Sequence, residues 1–240
     1  INAMSKRVTK DSEILLEGDL DPMHKAVAFL PKIVNSQVTA HIFETVENIY
    51  KAGLQDSERQ KLITIETEHV DGSFTSGERE KLLDNLKNTP DELCRIISNV
   101  RCLSEGVDVP SLDAVIFLTP KKSKVDIIQA VGRALRQSKD TGKKFGYVVV
   151  PIIVPSKING EIKDWFAENN EKYATIYEVA RMLGAHDEVM NVEIERLQAT
   201  GKSTKIKIVR TPEFNAEQTN FPFDIFQTEL IAQVVNHAGN

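Results

Sequence analysis

The sequence predicts an α/β domain built on a mainly parallel sheet with helices on both faces, followed by a mostly helical appendage. From Lys25 to about Pro155, short apolar segments typical of buried strands alternate with amphipathic helical segments. Strands separated by helices imply right-handed crossovers and parallel pairing. Beyond Pro155 the apolar residues recur at helical spacing. We therefore divide the chain into residues 1–24 (a lead-in), 25–155 (the α/β domain) and 156–240 (the appendage).

The α/β domain is predicted to contain five strands and three helices. The first strand ends at a proline, the second at the turn pair Asp71-Gly72, and Gly53 closes the first helix. A capping residue, Ser123, begins the third helix. The predicted strands are 26–30, 62–70, 94–98, 114–118 and 145–154, and the predicted helices are 38–53, 78–87 and 123–136.

The appendage is predicted to be helical over residues 161–199, with a break at Gly184. A short strand over 205–209 and a terminal helix over 222–237 follow, the latter with Pro222 in the favoured first turn.

Composition excludes several classes of protein. The chain is 41% hydrophobic and 27% charged, which is ordinary for a globular protein. No segment is long and apolar enough to cross a bilayer, and residues 1–10 lack the apolar core of a secretory signal. Ile1-Asn2-Ala3, ahead of Met4, is interpreted as an expression remnant. The net charge of −5 argues against a protein that coats nucleic acid. It does not argue against a protein that contacts a few phosphates along one local path.

Cysteine and histidine usage indicates a cytoplasmic protein without a metal site of its own. The two cysteines, Cys94 and Cys102, are predicted to be free thiols in a reducing compartment. The five histidines form no cluster of metal-ligand spacing.

The first segment that carries chemistry runs from Asn99 to Pro110, directly after a predicted strand. Ligands of open parallel sheets bind beyond the carboxyl ends of the strands, so this loop lies where a ligand would be met. Gly106 allows close approach of the backbone to a phosphate or ribose, and Asp108 can accept hydrogen bonds from ribose hydroxyls. A plain glycine-proline loop with a capping aspartate explains the segment equally well.

The second segment, Gln129-Ala-Val-Gly-Arg-Ala-Leu-Arg136, lies on a predicted helix. Arg133 and Arg136 are three residues apart and therefore project from one helix face. Two guanidinium groups suit a polyphosphate because each binds anionic oxygens in a fork and neither loses its proton. Two solvated surface arginines are the ordinary alternative. Gly132 argues against it, since an interior glycine costs a helix about 1 kcal/mol without a packing or access reason.

Together these segments resemble the superfamily 2 helicases. Residues 99–110 resemble motif V and residues 129–136 resemble motif VI, in the family's order. Upstream, residues 26–33 resemble motif IV, and His69-Val-Asp-Gly72 with Glu78-Arg79 resembles the strand-turn-helix block between motifs IV and V. The resemblance covers roughly residues 25–155 and implies a RecA-like three-layer sandwich, the second of the two motor domains.

Within the superfamily, the motif V segment is closer to the restriction-enzyme and predicted-helicase branch than to DEAD-box RNA helicases. Ala185-His-Asp-Glu188 also resembles a helical segment that follows the motor in single-chain restriction enzymes. One position departs from many relatives: Ala130 stands where they carry an arginine, so the contacts of that arginine are not carried over to this chain.

The half of the motor that holds the phosphates is not found in this sequence. Gly201-Lys202-Ser203-Thr204 imitates the end of a phosphate loop, but Arg196-Leu-Gln198 provides no glycine where the loop requires one. Gly142-Lys143-Lys144 lacks the hydroxyl residue that binds magnesium, and no acidic box of the helicase type appears. We therefore expect ATP and Mg²⁺ to be bound mainly by a first RecA-like domain outside this chain. We expect this chain alone to be inactive.

The resemblance implies an ATP-dependent helicase or translocase acting on nucleic acid, with DNA favoured over RNA. Arg136 and Arg133 would act catalytically, Arg136 at the γ-phosphate. The ATP contacts would come from Gly106, Asp108, Gln129, Arg133 and Arg136, and the strand contacts from Asn99, Pro31 and Ser36.

Three alternatives are weighed against this interpretation. A free-standing nucleotide-binding or flavodoxin-like domain would need a glycine-rich or hydroxyl-rich loop after the first strand, and residues 31–35 provide neither. A nuclease would need an acidic cluster with lysine that the sequence lacks. A non-catalytic scaffold that keeps the motor fold stays open, although the arginine pair counts against it.

Overall fold

Five parallel strands form the sheet at the centre of the described part of the chain. The computed structural model describes residues 1–8, 10, 16, 18–30, 33–99, 112–118, 146–149, 192 and 196. The predicted helix over 123–136, most of the predicted strand over 145–154 and almost all of the appendage lie outside these residues. The strands are β1 (Lys25–Phe29), β2 (Thr64–Val70), β3 (Leu93–Asn99), β4 (Ala114–Phe117) and β5 (Tyr147–Val149).

The strands lie in the order β2-β3-β1-β4-β5, and every neighbouring pair is parallel. Chain order and spatial order therefore differ, as crossover connections through helices require. The predicted mainly parallel α/β sheet is confirmed.

Three helices are described: α1 (Ile33–Ala52), α2 (Asp56–Arg59) and α3 (Ser76–Lys87). The longer two cover opposite faces of the sheet. On one face Phe43 of α1 packs against an apolar cluster that includes Ala26, Ile65 and Ile96. On the other face Leu86 of α3 is fully buried in a second cluster with Val27 and Ile97. The alternation of side chains along each strand sends neighbouring residues to the two clusters, so both faces of the sheet are buried.

Helix α3 begins at a capping box. The Thr75 hydroxyl accepts a hydrogen bond from the backbone N–H of Glu78, and the Glu78 carboxylate accepts from the backbone N–H of Thr75 at 2.8 Å. These bonds satisfy donors that a helix start otherwise leaves unpaired. The helix therefore begins at Ser76, two residues before the predicted Glu78.

The lead-in segment lies against the α/β domain. Met4 and Met23 are buried in the same cluster as Ala26 of β1, and the N–H of Met23 donates to the carbonyl of Met4 at 2.8 Å. The Ser5 hydroxyl accepts a hydrogen bond from the backbone N–H of Ile63, just before β2. The segment interpreted as an expression remnant also makes contacts, since Asn2 accepts a hydrogen bond from the Tyr50 hydroxyl at 3.0 Å. The lead-in thus shares the core of the domain, while the boundary at residue 25 stays a prediction.

Within the described residues, no helix combines the length and apolar character needed to span a membrane.

Candidate functional site

The carboxyl ends of four strands meet at one edge of the sheet. Asn99, the last residue of β3, is in register with Val70 of β2 on one side and with Phe29 of β1 on the other. Phe29 is in turn in register with Phe117, the last residue of β4. This alignment places the start of each following loop at the same edge, which is where parallel α/β sheets bind their ligands.

Of the candidate site residues, the structure describes the backbone of Asn99 and the whole of Ser36. Asn99 is the last residue of a central strand, so the chain leaves the sheet there at the edge described above. Pro31, Gly106, Asp108, Gln129, Arg133 and Arg136 lie outside the described residues, and their roles stay predictions.

Ser36 lies in the first turn of α1 and is fully buried. Its hydroxyl contacts the Ser98 hydroxyl and lies 2.7 Å from His69 Nδ1. The Ser98 hydroxyl also donates to the carbonyl of Ser36 at 3.1 Å. The Ser36 hydroxyl therefore has partners inside the domain, and its contact with nucleic acid stays a prediction.

The network extends from Ser36 through His69 to the turn after β2. His69 Nε2 lies 2.9 Å from Asp71 Oδ2, and Asp71 Oδ1 accepts hydrogen bonds from the backbone N–H and the hydroxyl of Ser73. The ring of Phe74 meets the His69 ring edge-on, with centroids 5.9 Å apart. Buried polar groups are costly without partners, and here each side chain from Ser98 to Ser73 has one.

Electrostatics keep the Asp71 carboxylate charged. Burial of Asp71 favours its neutral form, but hydrogen bonds from Ser73 and His69 outweigh that effect and hold the pKa of Asp71 below its ordinary value. An ionised Asp71 can only accept, so His69 Nε2 carries a hydrogen and donates it to Asp71. The carboxylate thereby fixes the orientation of the ring.

His69, Asp71 and Gly72 lie in the block that resembles the one between motifs IV and V, which assigns them no role, and Ser98 is not among the predicted site residues. One signal was available: Ser98 interrupts the apolar alternation of β3, and His69 lies on the same face of β2 as the buried Ile65. Polar residues on an inward face need partners, which predicts a network but not its members. Among the described residues, no group of three or more His, Cys, Asp or Glu side chains is placed to hold a metal ion.

Comparison with proteins of known structure identifies a similar domain. The solved structure of the ATP-dependent Type ISP restriction-modification enzyme LlaBIII bound to DNA is 33% identical to this chain, with a TM-score of 0.68. The match covers 98% of this chain and 14% of that enzyme's chain.

Two curated proteins are similar over shorter ranges. The candidate helicase 22 of the Sulfolobus islandicus filamentous virus is 35% identical over 72 residues, which are 30% of this chain and 12% of that protein. The candidate ATP-dependent helicase IRC3 of Saccharomyces cerevisiae is 33% identical over 78 residues, which are 32% of this chain and 11% of that protein. The chain thus spans a small part of each of these three proteins.

The family model described as helicase conserved C-terminal domain matches residues 18–138, just over half of the chain. This range contains all four segments on which the resemblance to superfamily 2 helicases was based, and the resemblance is confirmed. The likeness to LlaBIII supports the restriction-enzyme branch. The chain belongs to the helicase conserved C-terminal domain family.

Proposed function

We propose that this chain is the second motor domain of an ATP-dependent helicase or translocase that moves along nucleic acid. In this proposal its arginines reach ATP bound by a first RecA-like domain outside the chain, while its sheet edge grips one strand. One observation carries the proposal: the identity of 33% with a DNA-bound, ATP-dependent restriction-modification enzyme extends over 98% of the chain. A restriction-type enzyme is accordingly the favoured parent protein.

Sheet geometry supports the placement of the two sites. Residues 99–110 leave the end of β3, and the segment with Arg133 and Arg136 follows β4 in the sequence. These strands flank β1 on either side, so both loops start at the same edge from central positions. A central position brings loops from several strands within reach of one ligand.

The proposed ATP contacts divide by chemistry. Arg136 would meet the γ-phosphate and Arg133 would lie beside it, since a guanidinium binds phosphate oxygens in a planar fork. Asp108 would accept hydrogen bonds from the ribose hydroxyls, Gly106 would leave room for the backbone to approach, and Gln129 would line the same cleft. Comparable arginine fingers in other motors contribute about 10³–10⁵ in rate. Most of the binding surface for ATP and Mg²⁺ would belong to the other domain.

The proposed strand contacts lie around the ends of β1 and β3. Asn99 ends β3 beside β1, and Pro31 follows β1 in the sequence, which supports strand contacts from both. Ser36 is buried against Ser98, so its proposed contribution is to support the turn that carries it. Contacts with sugar and phosphate carry no sequence information, so the grip would serve any sequence. DNA is favoured over RNA because the similar restriction-modification enzyme is bound to DNA.

A non-catalytic scaffold that keeps the motor fold is the second candidate, and it would dispense with both arginines. The two functions differ in whether ATP hydrolysis by the complete protein depends on Arg133 and Arg136. We expect the 240-residue chain alone to release phosphate from ATP at the background rate, with or without single-stranded DNA. Turnover that survives repurification of the isolated chain would contradict the half-motor assignment.

Nucleic-acid binding by the isolated chain provides a second test. With only a few backbone contacts, binding to a fluorescent single-stranded oligonucleotide should be weak, independent of base sequence and strongly reduced by salt. Fluorescence anisotropy at several salt concentrations measures this directly. Tight binding to one sequence at physiological salt would indicate a recognition module instead.

A further inference from the structure

Three segments of the chain meet at His69. The ring belongs to the penultimate residue of β2, and its Nδ1 contacts Ser36 in the first turn of α1. Ser36 in turn contacts Ser98, the penultimate residue of β3. His69 and Ser98 are also direct partners in the β2-β3 register. Two of these segments adjoin a proposed contact with nucleic acid: Pro31 lies just before α1 in the sequence, and Asn99 ends β3.

We propose that His69 is a positioning residue for the nucleic-acid grip of this domain. Its ring ties the first turn of α1 to the ends of β2 and β3, and so fixes the start of α1 relative to Asn99. This inference rests on the function proposed above, because it assumes that the edge carrying these residues meets the strand.

The network is built to hold one arrangement. Asp71 cannot turn away from His69 without losing the two hydrogen bonds that its other oxygen receives from Ser73. The Ser98 hydroxyl holds Ser36 at two points, because it contacts the Ser36 hydroxyl and donates to the Ser36 carbonyl. Any slide of α1 along the sheet would leave a buried polar group unpaired, which makes the arrangement specific and not merely stable.

A serine, a histidine and an aspartate joined by hydrogen bonds also occur in hydrolases that use a serine nucleophile. The burial of the three side chains in this domain argues against that role. Ser36 is 0% exposed, and its hydroxyl faces two internal partners. The side chains of His69 and Asp71 are 11% and 5% exposed. A nucleophile needs a reacting atom within reach, and a hydroxyl enclosed by protein atoms does not offer one. The network is therefore assigned a role in positioning the segments that it joins, and not a catalytic role.

The test uses the complete motor protein and its ATPase activity as a function of single-stranded DNA concentration. A looser grip raises the DNA concentration that gives half-maximal stimulation, whereas partial unfolding lowers kcat by reducing the active fraction. We expect His69→Leu and Ser98→Ala to raise the half-maximal DNA concentration by about fivefold or more, with kcat at saturating DNA and the KM for ATP within about twofold of wild type.

Thr67 provides a matched control on the same strand and the same face. Within the described part of the chain its buried hydroxyl has no hydrogen-bond partner, so Thr67→Val removes a buried hydroxyl without breaking the network. The DNA dependence of Thr67→Val should equal that of wild type. His69→Gln, which keeps hydrogen-bonding groups on the side chain, should recover part of what His69→Leu loses.

Each outcome decides the inference. If His69→Leu fails to fold, Ser98→Ala carries the test, because it removes one hydroxyl from a well-packed strand. Unchanged half-maximal DNA concentrations for Ser98→Ala and for a folded His69→Leu would overturn the positioning role while leaving the proposed function intact. The role would also be overturned if Thr67→Val shifted the DNA dependence as much as Ser98→Ala does. A wild-type protein whose ATPase does not respond to DNA would overturn the proposed function, and the positioning role with it.

Discussion

The carboxylate of Glu47 in α1 accepts a hydrogen bond from the backbone N–H of Ile65 in β2, at a distance of 2.9 Å. Strand β2 is the outermost strand of the described sheet, and an edge strand has backbone N–H groups without a strand partner. The other Glu47 oxygen pairs with Lys51 one turn later. A buried backbone donor needs a partner, and an open strand edge invites pairing with other chains. Glu47 supplies the partner for this donor at the edge.

Replacing Glu47 by alanine should therefore destabilise the domain. The Ile65 N–H would lose a charged acceptor in a buried site, which lowers the free energy of unfolding by about 2 kcal/mol. Urea denaturation of the purified chain measures this. Glu44→Ala, at an exposed position on the same helix, is the control and should remain close to wild type. Equal stabilities of the two variants would contradict the role given to Glu47.

The Asp71 carboxylate should make stability depend on pH in the acid range. Its pKa is held below the ordinary value in the folded chain, so folding favours the ionised form. This contribution is complete above the unfolded-state pKa and is lost as the pH falls through that value towards the lower folded-state pKa. Asp71→Asn removes it. The difference in free energy of unfolding between wild type and Asp71→Asn should shrink as the pH falls from about 5 to about 3. A difference that stays constant or grows over that range would show that Asp71 is not stabilised as an anion.

The Cys94 thiol should be unreactive in the folded chain. Cys94 is fully buried in β3, and burial, with a further effect from the negative charge of Asp113, raises the pKa of its thiol to about 12. Near pH 8 almost no thiolate is present, and the thiolate is the reactive form. In a Cys102→Ser background, a disulfide reagent such as DTNB should label no thiol until denaturant is added. Labelling of the native chain at the rate of a free cysteine would contradict the burial of β3.

The elements that the sequence predicted correctly are those defined by local periodicity. All five strands are present within the predicted ranges or within one residue of them, and the first helix extends over the predicted apolar face. The helix α2 (Asp56–Arg59) was missed because it has no buried residue and hence no apolar period. Helix α3 begins two residues before its predicted start. The spacing of Thr75 and Glu78 is that of a capping box, which indicates a start at Ser76.

The candidate site was predictable only in part. The motif segments predict the edge of the sheet at which the candidate site lies, because these segments follow β3 and β4 along the chain. The network of Ser36, His69 and Ser98 was not predictable, because it joins residues more than 30 positions apart. Which polar side chains meet across α1, β2 and β3 depends on register and helix rotation, and neither is written in local sequence patterns. The buried Glu47 escaped prediction for the same reason, since a glutamate on an amphipathic helix is ordinarily solvated.

The arginine finger is the central claim, and the kcat of the complete motor protein carrying Arg136→Ala tests it most directly. The Arg136 guanidinium is proposed to reach the γ-phosphate only when the two motor domains close, and it would then stabilise the transition state more than bound ATP. DNA-stimulated kcat should fall by about 10²-fold or more with little change in ATP binding, and Arg136→Lys should restore only part of it. Asp108→Ala, at the proposed ribose contact, should mainly weaken apparent ATP affinity.

Near-normal kcat for Arg136→Ala with activity abolished in Arg133→Ala would exchange the roles of the two arginines. If both variants fold, as judged by circular dichroism, and both keep wild-type kcat, the arginine-finger account is contradicted and the scaffold function takes its place.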